Sequence, residues 1–172
     1  MSSHRSVRTA GRTLALVTVL GAALPAAPAG AGGGDSAASM ERVAAVRGES
    51  MNEGSVLRLS EFRSDEAAAW RSVNDVVMGG RSASRLTVPA DGTGRFEGRV
   101  SLENNGGFAS VRRMVGPVDL SDFAGLALRV RGDGRRYRLR LRTDERYDGI
   151  AWQASFDTRP DAWTVVSLPF GA

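Results

Sequence analysis

The sequence predicts an all-β protein, a jelly-roll β-sandwich, and three observations carry that expectation. In RYRLRLRT, Arg136 to Thr143, Tyr137, Leu139, Leu141 and Thr143 occupy one parity and four arginines the other. That period of two belongs to a strand with one buried face. Just before it, Leu126, Leu128 and Val130 alternate with Arg129 and Arg131. Short apolar runs punctuated by Gly, Pro and Asp then recur to the end of the 172-residue chain, the spacing of a sandwich rather than of a helical or α/β protein.

The N-terminal part reads differently. Arg5, Arg8 and Arg12 precede an apolar run from Leu14 to Leu24, and PAAPAGA follows, with Ala29 and Ala31 in a small-residue cleavage pattern. Residues 1–31 therefore read as a secretory signal peptide, and the run falls short of the roughly 20 residues of a membrane helix. The expected location is secreted or periplasmic, with no stable membrane span once the signal is removed. A Ser- and Arg-rich start without acids also fits a mitochondrial transit peptide, and initiation at Met40 or Met51 would leave the chain cytoplasmic.

Residues 32–54 are rich in Gly, Ala and Ser and read as a flexible linker with at most a short helix from Met40 to Val46. The folded domain is expected over residues 55–172. VLRLSEF supplies its first strand from Val56. In SDEAAAW, Ser64 is placed to cap a short helix with Asp65 and Glu66 in the first turn, ending near Trp70. Further strands are expected at 85–88, 95–102, 108–114, 150–156 and 163–170.

Parity also suggests pairings. A two-residue turn on Asp133-Gly134 sets Val130 against Tyr137, Leu128 against Leu139 and Leu126 against Leu141, whereas a three-residue loop mixes the faces. The same arithmetic on ENNGGF, with the turn at Asn105-Gly106, pairs Leu102 with Ala109 and Val100 with Val111, glycine supplying the positive φ.

Composition removes several chemistries. Three of the 23 arginines and none of the 19 acids lie in residues 1–31, so the remainder holds 20 cations against 19 anions, a net +1. A basic pI of 10.8 thus does not argue for nucleic acid. The chain has no cysteine or lysine, and its one histidine, His4, falls in the expected signal. The rest can build no Ser-His-Asp or Cys-His relay, thiol redox centre or ordinary zinc site. The expectation is no catalysis, no metal and no cofactor, with stability resting on a buried core rather than on disulfides.

Three stretches carry a resemblance: WRSVNDVVMGGRSAS (Trp70 to Ser84), FEGRVSLENNGGFASVR (Phe96 to Arg112), and LRVRGDGRRYRLRLRTD with DGIAWQASF (Leu128 to Phe156). In series from about Val56 to Phe170 they resemble the complex I intermediate-associated protein 30 family. The resemblance implies a galactose-binding-domain-like sandwich and a binding or assembly role with no established catalytic centre, since eukaryotic members assemble respiratory NADH dehydrogenase. It places the family's recurrent positions at Asn74, Asp75, Met78, Gly79, Gly80 and Ser82, at Asn104, Asn105, Gly106, Gly107 and Phe108, and at Arg140, Arg142, Asp148, Gly149 and Gln153. It departs in two respects. A signal peptide sets this copy outside the cytoplasm. The family domain also continues past LPF, so the expectation is a sandwich lacking its last strands or borrowing one from a partner.

The candidate ligand- or partner-binding residues follow. The arginine row Arg138, Arg140 and Arg142 suits a phosphate, a uronate or an acidic protein; the plainer reading is a solvated face screened by salt. The Asn74-to-Ser82 loop offers Asn74, Asp75, Gly79, Gly80 and Ser82 for a sugar hydroxyl or an anion, or else two turns plugging the sandwich end. Asn104, Asn105, Phe108, Asp148 and Gln153 join them from the resemblance. Trp70, Trp152 and Trp163 are candidate sugar platforms, Trp152 leaning to the core by parity and Trp163 the most open. The alternative function is a secreted carbohydrate-binding module or a glycoside hydrolase using carboxylates among Asp75, Asp144, Glu145 and Asp148, a pair of which must stand about 5 to 10 Å apart. Calcium around Asp144 to Gly149 lacks any EF-hand-like spacing.

Overall fold

The structure, a computed structural model, describes residues 13–20, 35–47, 56–142 and 151–171. Its strands are β1 (Thr13–Leu20), β2 (Asp35–Val46), β3 (Val56–Ser60), β4 (Trp70–Ser72), β5 (Ala83–Thr87), β6 (Gly94–Arg99), β7 (Ser110–Val118), β8 (Gly125–Arg131), β9 (Arg136–Arg142), β10 (Ala151–Asp157) and β11 (Trp163–Pro169). They form two antiparallel sheets: sheet A, in the order β10-β9-β1-β7-β4, and sheet B, in the order β11-β8-β2-β6-β5 with β3 also on β2. The all-β expectation holds. No helix among the described residues is long and apolar enough to cross a membrane.

The inner faces of both sheets close on one core. Tyr137, Leu139 and Leu141 of β9 are buried, as are Leu126, Leu128 and Val130 of β8. Phe96 of sheet B meets Tyr137 of sheet A edge-on, centroids 6.2 Å apart, and Tyr137 stacks on Phe156 at 6.0 Å. The first contact crosses the gap between layers and the second runs along sheet A, in the T-shaped and offset arrangements aromatic pairs prefer. The buried Tyr137 hydroxyl donates to Asp133 at 3.1 Å. Burial first, then the Asp133 charge, raises its pKa well above the ordinary tyrosine value.

Parity named the buried residues of β8 and β9 but not their neighbours. β8 pairs with β2 and β11, and β9 with β1 and β10, so the two lie in different sheets and no Asp133-Gly134 hairpin joins them. Apolar residues can meet across a sandwich as well as along a ladder, and inward parity satisfies either. Asp133 instead anchors a crossing between layers: its carboxylate accepts from the amides of Ala37 and Arg135, each at 3.1 Å. Likewise β6 and β7 belong to different sheets. ENNGGF is a short 3-10 turn over Glu103–Asn105, with positive φ at Asn104 (53°) and Gly107 (146°) but not at Gly106.

The linker reading fails over Asp35–Val46. That segment is a strand between β6 and β8, with Met40, Val43, Ala44 and Ala45 at most 1% exposed. Its small Ala and Ser side chains hide the strand pattern, and the register slips between Met40 and Arg42. Thr13–Leu20, inside the expected signal segment, runs as a strand between β7 and β9. The expected helix at Ser64 is a 3-10 turn, Ser64–Ala69, whose N-cap position is Arg63, and no side chain caps it.

Candidate functional site

The two glycine-rich loops meet at one end of the sandwich around a single carboxylate. Asp75 opens a 3-10 turn, Asp75–Met78, and is fully buried. Its Oδ1 accepts from the Ser82 amide at 2.9 Å, and its Oδ2 from the Ser82 hydroxyl and from the amides of Gly107 and Phe108 at 2.7 and 3.2 Å. Burial pushes the carboxyl pKa up. The Ser82 hydroxyl and the amides of Gly107, Ser82 and Phe108 outweigh it, and the net result is a pKa below the ordinary aspartate value. Hydrogen bonds to the charged form are what hold a buried carboxylate ionised.

The glycines fit this node. A Cβ on Gly80 would lie 2.4 Å from Asp75 Oδ1, and one on Gly106 would lie 2.5 Å from the Ser101 carbonyl and 2.8 Å from Asp75 Oδ2. Gly79 turns the chain at φ 90°, a left-handed conformation that L side chains resist. Asn74 Oδ1 accepts from the Ser84 hydroxyl at 2.6 Å and the Ser110 amide at 3.1 Å. The Ser82 oxygen also accepts from the Ser101 amide at 3.0 Å. Thus Asn74, Asp75, Gly79, Gly80, Ser82 and the backbone of Phe108 come together as one clamp joining two loops. With Asp75 wholly enclosed, its carboxylate is not presented to a ligand.

Sheet A carries the second arrangement. In register, Gln153 of β10 faces Arg140 of β9, Arg140 faces Thr18 of β1, Thr18 faces Arg112 of β7, and Arg112 faces Arg71 of β4. Arg138 and Arg142 stand two residues either side of Arg140 on the outward parity of β9. Arg140 donates to Gln153 Oε1 at 2.9 Å. Desolvation, then the charges of Arg138 and Arg142, lowers its pKa from the ordinary arginine value. Among the described residues no carboxylate pairs with Arg71, Arg112, Arg138 or Arg140. Because β8 and β9 lie in opposite sheets, Arg129 does not face Arg138, nor Arg131 Arg136; Arg129 instead forms an ion pair with Glu41 and Arg136 with Asp157.

The remaining candidates scatter. Trp163 opens β11 with the guanidinium carbons of Arg129 and Arg131 5.0 and 5.3 Å from its ring centroid, so a sugar stacking there would compete with cations. Trp152 meets Phe170 edge-on at 5.1 Å, and Trp70 is buried, stacked on Phe62 at 5.4 Å. Asn104 is exposed, and Asn105 ends the 3-10 turn beside it. Asp148, with Asp144 and Glu145, lies outside the described residues. Among the described residues, no group of three His, Cys, Asp or Glu could hold a metal.

Sequence reasoning missed a second polar node. Glu66 Oε2 accepts from the Ser60 hydroxyl at 2.6 Å and the Phe62 amide at 3.0 Å, and pairs with Arg113 at 2.5 Å. Glu66 and Arg113 are 47 positions apart, and no local pattern signals the pair.

No curated protein and no solved structure matches this chain. The family model described as Complex I intermediate-associated protein 30 (CIA30) matches residues 60–172, which takes in both loops of the Asp75 clamp and the arginine strands. With well over half its length so matched, the chain belongs to the CIA30 family.

Proposed function

We propose that the chain is a non-catalytic docking module related to respiratory-complex assembly, and that it binds an acidic protein partner on the outer face of sheet A. The observation that carries this reading is the row in which Arg71 and Arg112 stand directly opposite one another, with Arg140 farther along and, among the described residues, no carboxylate paired with any of the three. Like charges in register destabilise a sheet. A partner carboxylate relieves that repulsion, and the planar guanidinium fork binds it in two-point fashion. The clamp supports this role by fixing the sandwich end from which β7 starts.

The test places a photo-crosslinking residue at position 140 in the full chain and a second at exposed Val165 of sheet B as control. Crosslinks at 140 that weaken with salt and disappear in Arg71→Glu/Arg112→Glu support the face. Equal yields at 140 and 165, or insensitivity to charge reversal, exclude it.

A further inference from the structure

Among the described residues, six large hydrophobic side chains are exposed, and four of them share one place: Val76 at 60%, Val77 at 69%, Met78 at 62% and Leu102 at 61%. Met114 and Val165 stand apart on β7 and β11, and scattered single apolar residues need no explanation. The four at the sandwich end lie on the two loops that the Asp75 clamp joins. The clamp also explains why they face outward. Asp75 is drawn inside, Gly79 reverses the chain, and the three residues between them have only solvent to face. Arg81 and Glu103 tie the loops again from outside at 2.7 Å. The apolar tip is therefore built in advance and loses little conformational freedom on docking.

The charge around the tip selects what it meets. Val73 and Asn74 bond to Ser110, whose row in sheet A runs through Leu20 to Arg138 and Ser155. Arg71 and Arg112 form the next row on that face. On sheet B the last register row holds Arg99 opposite both Asp35 and Ala83. Among the described residues this end carries Arg71, Arg81, Arg99, Arg112, Arg136 and Arg138 against the exposed acids Asp35, Glu103 and Asp157, the last paired with Arg136, and the balance stays cationic. A convex apolar tip inside a cationic collar matches the boundary of an anionic bilayer, where apolar side chains enter the acyl margin and arginines stay among the headgroups.

We propose that Val76, Val77, Met78 and Leu102 form a membrane-docking tip that inserts peripherally into an anionic lipid surface. The site is separate from the protein-binding face read above, and docking would set that face beside the membrane. The test uses the full chain with vesicles of phosphatidylcholine, with and without phosphatidylglycerol. Flotation with the anionic vesicles, weaker in high salt as the Debye length shrinks, is expected. Val77→Asp/Met78→Asp should bind at least about tenfold more weakly with an unchanged unfolding curve. Because that variant keeps residues 1–31, any contribution of their apolar run cancels in the comparison. In a Met78→Trp variant, tryptophan emission should move to shorter wavelength on the anionic vesicles. Absence of flotation, equal binding by a folded double variant, or an unmoved emission each overturns the proposal, and none of them touches the crosslink at position 140.

Discussion

The carboxylate of Asp75 and the hydroxyl of Ser82 are hydrogen-bonded in the closed end of the sandwich, with the Ser82 amide on the other carboxylate oxygen at 2.9 Å. Through Gly107 and Phe108 the same carboxylate reaches the second loop. One buried acid thus serves four donors. Asp75→Ala leaves all four without an acceptor and should cost about 3–5 kcal/mol in denaturant unfolding. The pH dependence has a definite sign. The native pKa lies below the ordinary value, which is about 3.9 in an unfolded chain. The stabilisation is therefore complete above that value and lost as pH falls through the lower native one. The stability gap between wild type and Asp75→Asn should be flat near neutrality and narrow below about pH 4.

The paired glycines beside Asp75 separate conformation from space. Gly79 sits at φ 90° with nothing near its missing Cβ, whereas at Gly80 an added Cβ lies 2.4 Å from Asp75 Oδ1. Gly79→Ala should cost about 1–2 kcal/mol, the left-handed penalty alone. Gly80→Ala must displace the clamp and should cost up to about 3 kcal/mol. It should also abolish the acid dependence described for Asp75, which Gly79→Ala should preserve. Thermal unfolding across pH distinguishes the two.

How far these features were legible follows from what alternation encodes. It reports which side chains point inward, and so identified Tyr137, Leu139, Leu141, Leu126, Leu128 and Val130. It is silent on which strand lies alongside, so both expected hairpins were drawn between strands that belong to opposite sheets. β2 escaped notice because Ala, Ser and Met bury well in a central strand yet read as linker or helix when strand signals are sought in β-branched residues. The NDVVMGGRS and ENNGGF motifs were visible as strings. That one buried carboxylate unites them depends on contacts 32 residues apart, which neither string records.

The Glu66 and Arg113 pair should behave unlike the neighbouring surface pairs. Its side chains are 12% and 17% exposed, and the same Glu66 oxygen accepts from Ser60 and Phe62. Glu66→Ala leaves the Arg113 guanidinium buried without its anion and should cost about 3 kcal/mol. Asp65→Ala removes only the solvent-facing partner of Arg63, 67% exposed, and should leave the unfolding midpoint where it is, since exposed pairs add little. A midpoint that moves equally in both variants would mean the Glu66 pair is no more than a surface contact.

The apolar run Leu14 to Leu24 reads by composition as part of a signal, and its first part belongs to the strand Thr13–Leu20 between β7 and β9. Every ladder bond β1 makes is backbone to backbone, so its removal leaves the facing edges of β7 and β9 unpaired in the middle of sheet A. Unpaired edges template association with other strands. A chain beginning at residue 32 should therefore form higher-order species by light scattering at concentrations where the full chain does not. In the full chain the β7 amides that face β1 should exchange slowly with solvent, because they open only with the sheet. Should the shortened chain stay monomeric and its β7 amides exchange as slowly as before, β1 contributes nothing to sheet A in solution.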